Sequence, residues 1–131
     1  MPNTFLGKGN LADTPTIKYV PTADGERVVA EMRVFFDKYG RNDEGDIEQT
    51  GGFWMKVSLW GDRGEQAARL LRRGSRVSVE GTLEEFMYTV EGTDIKVPGY
   101  QVRADDVTLT MGRIESVTFR AKRNQEESLP A

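Results

Sequence analysis

Apolar and polar residues alternate strictly along residues 53–60, and a period of two residues predicts a β-strand with two distinct faces. One face carries the apolar residues of an ordinary core stripe: Phe53, Met55, Val57 and Leu59. The opposite face carries two indoles, an ammonium group and a hydroxyl: Trp54, Lys56, Ser58 and Trp60. Only one of the two sets can enter a core, so we expect the tryptophans to face outward on the same side.

Further β-prone segments, separated by glycine, proline and polar turns, run along most of the chain. They cover residues 4–11 and 16–20 (a broken first strand), 28–37, 76–88, 95–103 and 107–111. Residues 38–52 are polar and rich in glycine, which predicts a long, mobile hairpin connection.

The pattern predicts a single convincing helix, which begins after the tryptophan strand. Asp62 can cap its first turn, and Glu65 three positions later completes a capping-box pattern. Arg72 and Arg73 complement the C-terminal dipole, and Gly74 can adopt the left-handed conformation that closes a helix. We therefore expect a short helix between the third and fourth strands.

The order of elements predicts an all-β fold with one short helix, a five-stranded oligonucleotide/oligosaccharide-binding (OB) barrel with long β-hairpin loops. We assign residues 1–112 to this domain, 113–120 to an extra strand and 121–131 to a disordered polar tail. OB barrels bind oligonucleotides or oligosaccharides across an open sheet face, but a fold alone does not establish function.

Composition excludes several classes of function. The 131 residues contain neither cysteine nor histidine, which argues against disulfides, thiolate or zinc-finger metal sites and Ser-His-Asp hydrolases. No carboxylate pair, nucleophile or phosphate-binding glycine loop has a credible spacing, so we expect no enzyme and no cofactor. No apolar run is long enough to span a bilayer, and the N-terminus lacks a signal-peptide pattern; we expect a cytoplasmic protein without a membrane partner.

The charge balance argues against an indiscriminate polybasic binder of nucleic acid, since the net charge is −3 and the pI is near 5.1. The charges are unevenly distributed, however. Cations in strand-like stretches could form a separate basic groove: Lys8, Lys18, Arg33 and Lys56.

The Trp54–Trp60 face has the chemistry that binds single-stranded nucleic acid, because bases stack on flat rings while cations contact phosphate. Exposed tryptophans are costly for a soluble protein, so a partner that covers them is a natural inference. The alternative is that a helix, a loop or another subunit covers one or both rings.

Three fragments occur in an order and at spacings typical of one family. They are Gly9-Asn10-Leu11 with Pro15 and Lys18-Tyr19, the run Trp54–Gly61, and Leu71-Arg72-Arg73-Gly74-Ser75 leading into Val77-Ser78-Val79-Glu80-Gly81-Thr82-Leu83. On these motifs the chain resembles the bacterial single-stranded DNA-binding protein family over residues 3 to about 111.

The resemblance implies a set of DNA-binding residues. Aromatic residues that match the family's base-stacking positions are Trp54, Trp60 and Tyr88, with Tyr39 in the first long hairpin and Phe86 as a competitor of Tyr88. Lys56 is the cation that we expect to contact phosphate first, and Arg33 shares an outward face with Phe35 if Met32, Val34 and Phe36 point inward. The resemblance also implies a homo-oligomer, with a tetramer favoured and a dimer as the alternative.

Two departures from the family pattern bear on function. Glu84 and Glu85 stand where relatives carry basic residues, and the chain ends at residues 125–131 without an acidic, Phe-terminated tip. Replication and repair partners recruited through such a tip are therefore doubtful. The expected function is sequence-tolerant binding and protection of single-stranded DNA during replication, recombination or DNA transfer. The alternative is an OB-fold protein-interaction module with weakened DNA affinity.

Overall fold

The computed structural model describes residues 3–121, whose strands form one sheet that closes on itself. The elements are β1 (Asn3–Leu11), β2 (Thr16–Thr22), β3 (Gly25–Arg41), β4 (Ile47–Trp60), α1 (Asp62–Leu70), β5 (Arg76–Thr89), β6 (Lys96–Leu109) and a 3-10 turn at Met111–Arg113. The strand order is β1-β5-β6-β4-β3-β2, and an additional β1–β3 pairing closes a ring of five strands with β2 outside it. The predicted five-stranded OB barrel with one short helix is confirmed.

The barrel closes over a short stretch between β1 and β3, where Asn10 pairs with Phe35 and Leu11 with Val34. Gly9 allows this close approach, because a Cβ at that position would lie 2.3 Å from the carbonyl oxygen of Phe35.

The core lies inside the ring and follows the predicted alternation. Its buried residues are Leu11, Ala30, Met32, Val34, Phe36, Met55, Val57, Leu59, Val77, Val79, Val102 and Ala104, together with Ala67 of α1 and Leu71 just after it. Burying each large apolar side chain contributes about 1.5–3 kcal/mol. Phe53 differs from the prediction: it is 46% exposed, because it lies beyond the core and packs on Phe36 with ring centroids 5.7 Å apart.

The helix forms where predicted, but its ends differ. Gly61, at a φ of 80°, is the N-cap, and Asp62 is the first helical residue and provides no side-chain cap. The helix ends at Leu70, and Gly74 lies in the following turn, where its N–H donates to the carbonyl of Leu11. No helix in residues 3–121 has the length and apolar character needed to cross a membrane.

The first hairpin is more regular than its composition predicted. β3 continues to Arg41 and β4 begins at Ile47, so only residues 42–46 form the turn. The side-chain oxygen of Asn42 accepts bonds from the N–H groups of Glu44 and Asp46, both at 2.9 Å. Residues 38–41 of β3 and 47–52 of β4 extend beyond the barrel and include no buried residue, so their polar sequence lacks the alternation that marks a strand.

The extra strand predicted over residues 113–120 does not form. After the 3-10 turn, residues 114–121 have no strand structure, and Val117 and Phe119 are 60% and 88% exposed. The preceding strand, β6, pairs with β5 over residues 96–109 with one register shift, and with β4 over residues 101–103. The predicted tail lies outside the described residues, except for Ala121.

Candidate functional site

Outward side chains of four neighbouring strands form one continuous surface, here called the outer face. Cross-strand partners point to the same side of a sheet, so the register places Arg33, Lys56, Gln101 and Glu84 in one row. Its members are Glu31, Arg33 and Phe35 of β3, Trp54, Lys56, Ser58 and Trp60 of β4, Gln101 and Arg103 of β6, and Glu84, Phe86 and Tyr88 of β5.

Four of the predicted residues meet at one point of the outer face. The rings of Phe35 and Trp54 have centroids 4.9 Å apart, and the guanidinium of Arg33 lies over Trp54 at 5.3 Å from the ring centroid. Lys56 is the cross-strand partner of Arg33. Trp54 remains 56% exposed, so a flat ligand can reach its ring.

Trp60 lies on the same outer side as Trp54, as predicted, but is half-buried. The guanidinium of Arg27 lies 5.8 Å from the centroid of its ring. Trp60 also lines an open groove of about 900 Å³ that runs between β3, β4 and β6 next to the start of α1. Within the described residues, the alternative that the tryptophans are covered therefore applies only to Trp60, and that ring is only partly covered.

Phe86 and Tyr88 lie on the β5–β6 hairpin, on the far side of β6 from Trp54. Their ring centroids are 6.0 Å apart, and both are exposed. Gly99 leaves room for them, because a Cβ there would lie 2.8 Å from Cζ of Phe86 and 3.1 Å from the ring of Tyr88. The two residues thus form a joint aromatic surface, where the sequence left them as competitors.

Tyr39 stands apart from these residues. It lies on the first hairpin just after a register shift between Lys38 and Tyr39, and it forms no aromatic pair within residues 3–121. Its hydroxyl donates to Oδ2 of Asp37 at 3.4 Å, and its ring is 55% exposed.

The central cation of the outer face is paired with a carboxylate that the sequence did not single out. Nζ of Lys56 lies 2.8 Å from Oε2 of Glu31, and Nζ of Lys18 lies 2.6 Å from Oε1. Burial raises the pKa of Glu31, but hydrogen bonds from the two lysines outweigh it, so the pKa lies below its ordinary value. Alternation along β3 already placed Glu31 beside Arg33, but its partners follow only from strand register.

Other cations of this region also have acidic neighbours. Arg33 Nη2 lies 3.4 Å from Oδ2 of Asp13, and Arg103 Nη1 lies 3.9 Å from Oε2 of Glu84. The predicted basic groove forms only in part: Lys18, Arg33 and Lys56 line one groove of about 420 Å³ together with Asp13 and Glu31, whereas Lys8 lies on β1, away from β4. The groove beside Trp60 also mixes both signs, with four cations and four carboxylates in its lining: Arg27, Lys56, Arg63, Arg103, Glu31, Asp62, Glu84 and Asp105.

Glu84 and Glu85, which the sequence treated as a pair, point to opposite faces. Glu84 pairs across β6 with Gln101 and belongs to the outer face, whereas Glu85 is opposite Tyr100 and faces the other way. Only one of the two carboxylates can therefore repel a ligand on the outer face at close range.

A partly buried ion pair links β3 to β5 next to the site. Arg76 donates to both carboxylate oxygens of Asp37, at 2.7 and 3.1 Å, and the Asp37 side chain is only 3% exposed. Hydrogen bonds from Arg76 hold the pKa of Asp37 below its ordinary value despite burial. Asn10 of β1 also bonds Asp37, so the network joins three strands at the barrel closure.

The outer face can hold a flat ring by stacking and an anion through its cations. Those cations are already in contact with carboxylates. Residues 3–121 contain no group of acidic side chains placed to hold a metal ion. Nothing in this geometry resembles a nucleophile with its base.

Comparison with known proteins gives consistent matches. A family model described as the single-strand binding protein family matches residues 2–110. The crystal structure of a small single-stranded DNA-binding protein from Streptomyces coelicolor superposes with a TM-score of 0.71 at 18% identity, covering 86% of this chain and 98% of that one. A deletion mutant of the single-stranded DNA-binding protein from Thermus aquaticus superposes with a TM-score of 0.61 at 26% identity. That match covers 86% of this chain but only 52% of the Thermus protein.

Proposed function

Because the chain belongs to the single-strand binding protein family, we propose that it binds single-stranded DNA without sequence preference. In this role it protects exposed strands during replication, recombination or DNA transfer, and it carries out no reaction. The observation that carries the proposal is the cluster of Arg33, Phe35, Trp54 and Lys56 on the outer face, where two cations adjoin two rings and the Trp54 ring is exposed.

Base stacking supplies the sequence-tolerant part of the affinity, at about 1–3 kcal/mol for each base. Trp54 and Trp60 are separated by six residues on β4, which corresponds to about 20 Å along the strand. They therefore hold different parts of one DNA strand, not neighbouring bases. Phe86 and Tyr88 extend the path across β6, and Tyr39 extends it onto the first hairpin.

Phosphate contacts come from Lys56 and Arg33. The guanidinium of Arg33 covers part of the Trp54 ring, so an incoming base displaces it from the ring or stacks on the uncovered part. In either case the cation stays within reach of the phosphates that flank the stacked base.

We further propose a homo-oligomer, a tetramer in preference to a dimer. Residues 3–9 of β1 pair with β5 on one side, and within the described chain their other edge is unpaired. A free edge can pair with the same strand of a second copy. Several barrels on one DNA strand then raise the avidity without new contacts. Partners recruited through the tail are not proposed, since residues 122–131 lie outside the described chain.

One observation favours a second candidate, an interaction module with weakened DNA affinity. Glu31 and Glu84 contact cations of the outer face, which reduces the charge offered to phosphate. In that case the same aromatic surface contacts a protein.

A titration with oligo-dT followed by tryptophan fluorescence separates the two candidates. The DNA-binding proposal expects quenching at low salt that persists, with lower affinity, at moderate salt. Native mass spectrometry with and without long oligo-dT reports the oligomer and its DNA complex together. Unquenched fluorescence and no complex at low salt would reject DNA binding and leave the interaction module.

A further inference from the structure

Three charged side chains from three strands meet at the β3 edge of the outer face, next to β2. Lys18 of β2 and Lys56 of β4 approach Glu31 of β3 from opposite sides, at 2.6 and 2.8 Å, one ammonium group on each carboxylate oxygen. The Glu31 side chain is 21% exposed, against 58% and 47% for the two lysines. The carboxylate therefore lies deepest of the three.

The strand register keeps this arrangement in place. Glu31 is directly opposite Thr16 and Ser58, so each lysine is its diagonal neighbour, two residues along the adjoining strand. Long side chains reach diagonal neighbours across a sheet. Glu31 itself lies on a strand that is paired on both sides, and its half-buried position leaves the carboxylate little room to turn away.

We infer that Glu31 sets the strength and the salt dependence of DNA binding by cancelling one of the two lysine charges on the outer face. This inference rests on the proposed function. Lys18, Glu31 and Lys56 together carry one net positive charge, so they act toward DNA as one phosphate contact instead of two. A phosphate that binds both lysines has to displace the Glu31 carboxylate from them. The carboxylate then stays close to the phosphate and repels it.

The size of the effect follows from counterion release. For single strands the slope of log affinity against log salt changes by about 0.7 for each phosphate neutralised. Restoring one lysine charge should therefore steepen the slope by about 0.7. If such a variant and the parent bind equally well near 1 M salt, where screening removes the charge effect, the variant should bind about eightfold more tightly than the parent at about 50 mM salt.

The test compares Glu31→Gln with Glu26→Gln in titrations with short oligo-dT over a range of salt. Gln keeps the size of Glu31 and one carbonyl acceptor for the lysines but removes the charge. Glu26 is the matched control: it lies on the same strand, is exposed, makes no ion pair within residues 3–121 and alternates with Arg27 to the opposite face. We expect tighter binding and a steeper slope for Glu31→Gln and no change for Glu26→Gln.

A merely structural role for Glu31 gives a different result. If the carboxylate only orients the lysines, Glu31→Gln binds as well as the parent or less well, with the same slope, and the inference is rejected. Adding Lys56→Gln to both backgrounds supplies a second readout. Lys56→Gln alone leaves the three side chains without net charge, whereas Lys56→Gln with Glu31→Gln leaves the single positive charge of the parent, so the double variant should recover the salt slope of the parent. Should Glu31→Gln unfold, Glu31→Thr, a good strand former, undergoes the same measurements.

Failure of this inference is distinguishable from failure of the proposed function. A parent protein that binds oligo-dT while both Glu31 variants keep its slope contradicts only the role of Glu31. A parent that does not bind oligo-dT at low salt contradicts both proposals.

Discussion

The guanidinium carbon of Arg33 lies 5.3 Å from the centroid of the Trp54 ring, so a cation from β3 covers a ring from β4. Phe35 packs against the same ring at 4.9 Å. Contacts from two side chains fix the orientation of the indole while more than half of it stays exposed. A base that stacks there meets a ring whose conformational entropy is already reduced.

Replacing Trp54 by Ala should weaken oligo-dT binding by about 1–3 kcal/mol, because one stacking surface is lost. The affinity is measured by titration with labelled oligo-dT. Tyr19→Ala is the control, since Tyr19 is also exposed but alternates with Lys18 to the other side of β2. Unchanged affinity in the Trp54 variant would assign that ring a structural role.

The double substitution Glu84→Lys with Glu85→Lys should strengthen binding and steepen the salt dependence, because cations replace carboxylates on the β5–β6 hairpin. The two substitutions should contribute unequally, since only Glu84 belongs to the outer face. We expect Glu84→Lys alone to account for most of the change, about 0.7 in slope for each added phosphate contact.

Glu85→Lys is the matched control, with the same change of charge one residue further along. Titrations of both single variants and the double variant over a range of salt provide the comparison. If the double variant binds like the parent with the same slope, DNA does not follow this hairpin. The proposed site then contracts to Trp54, Lys56 and Trp60.

The Asp37–Arg76 pair should make stability depend on pH in the acid range. The pKa of Asp37 is lower in the folded state than in the unfolded state. The contribution of the ion pair to the free energy of unfolding is therefore complete when the pH is above the unfolded pKa of about 3.9, and it is lost as the pH falls through the folded pKa. Asp37→Asn should cost about 3 kcal/mol at neutral pH, because a largely buried guanidinium loses its counter-charge.

Urea unfolding at a series of pH values measures this contribution. We expect the variant to lose less stability than the parent between neutral pH and about pH 3, since one of the groups responsible is gone. Asp24→Asn, at an exposed turn, is the control for the change of charge. Parallel curves for the parent and Asp37→Asn would contradict a stabilising ion pair.

Gly9→Ala should destabilise the barrel by about 1–3 kcal/mol, because the added methyl group would lie 2.3 Å from the Phe35 carbonyl oxygen, a backbone atom that cannot rotate away. Gly112→Ala is the control, as nothing lies within 4 Å of a Cβ there. Thermal unfolding compares the two variants. Equal stability would mean that β1 and β3 can separate at little cost.

Local patterns in the sequence were sufficient to predict the barrel and the side of the sheet to which Trp54 and Trp60 point. The alternation around Met55, Val57 and Leu59 depends on a buried face, and the same burial determines where Trp54 and Trp60 point. The helix was found for a similar reason, although Gly61 caps it instead of Asp62.

What the sequence did not predict depends on register between strands that are distant along the chain. Glu31 meets Lys18 and Lys56 because β2 and β4 both pair with β3, and Asp37 meets Arg76 because β1 closes the barrel. Periodicity within one strand gives the side to which a residue points. It does not give the residue that it meets.

The β5–β6 hairpin can accept amino-acid substitutions in evolution with little effect on stability. From Glu85 to Thr89 every residue of β5 is exposed, so this part of the strand has no interior side and few packing contacts to lose. Surface substitutions of this kind usually alter the free energy of unfolding by less than about 0.5 kcal/mol. Mutations can therefore accumulate there while the fold is maintained, and along the proposed DNA path they would change affinity independently of stability.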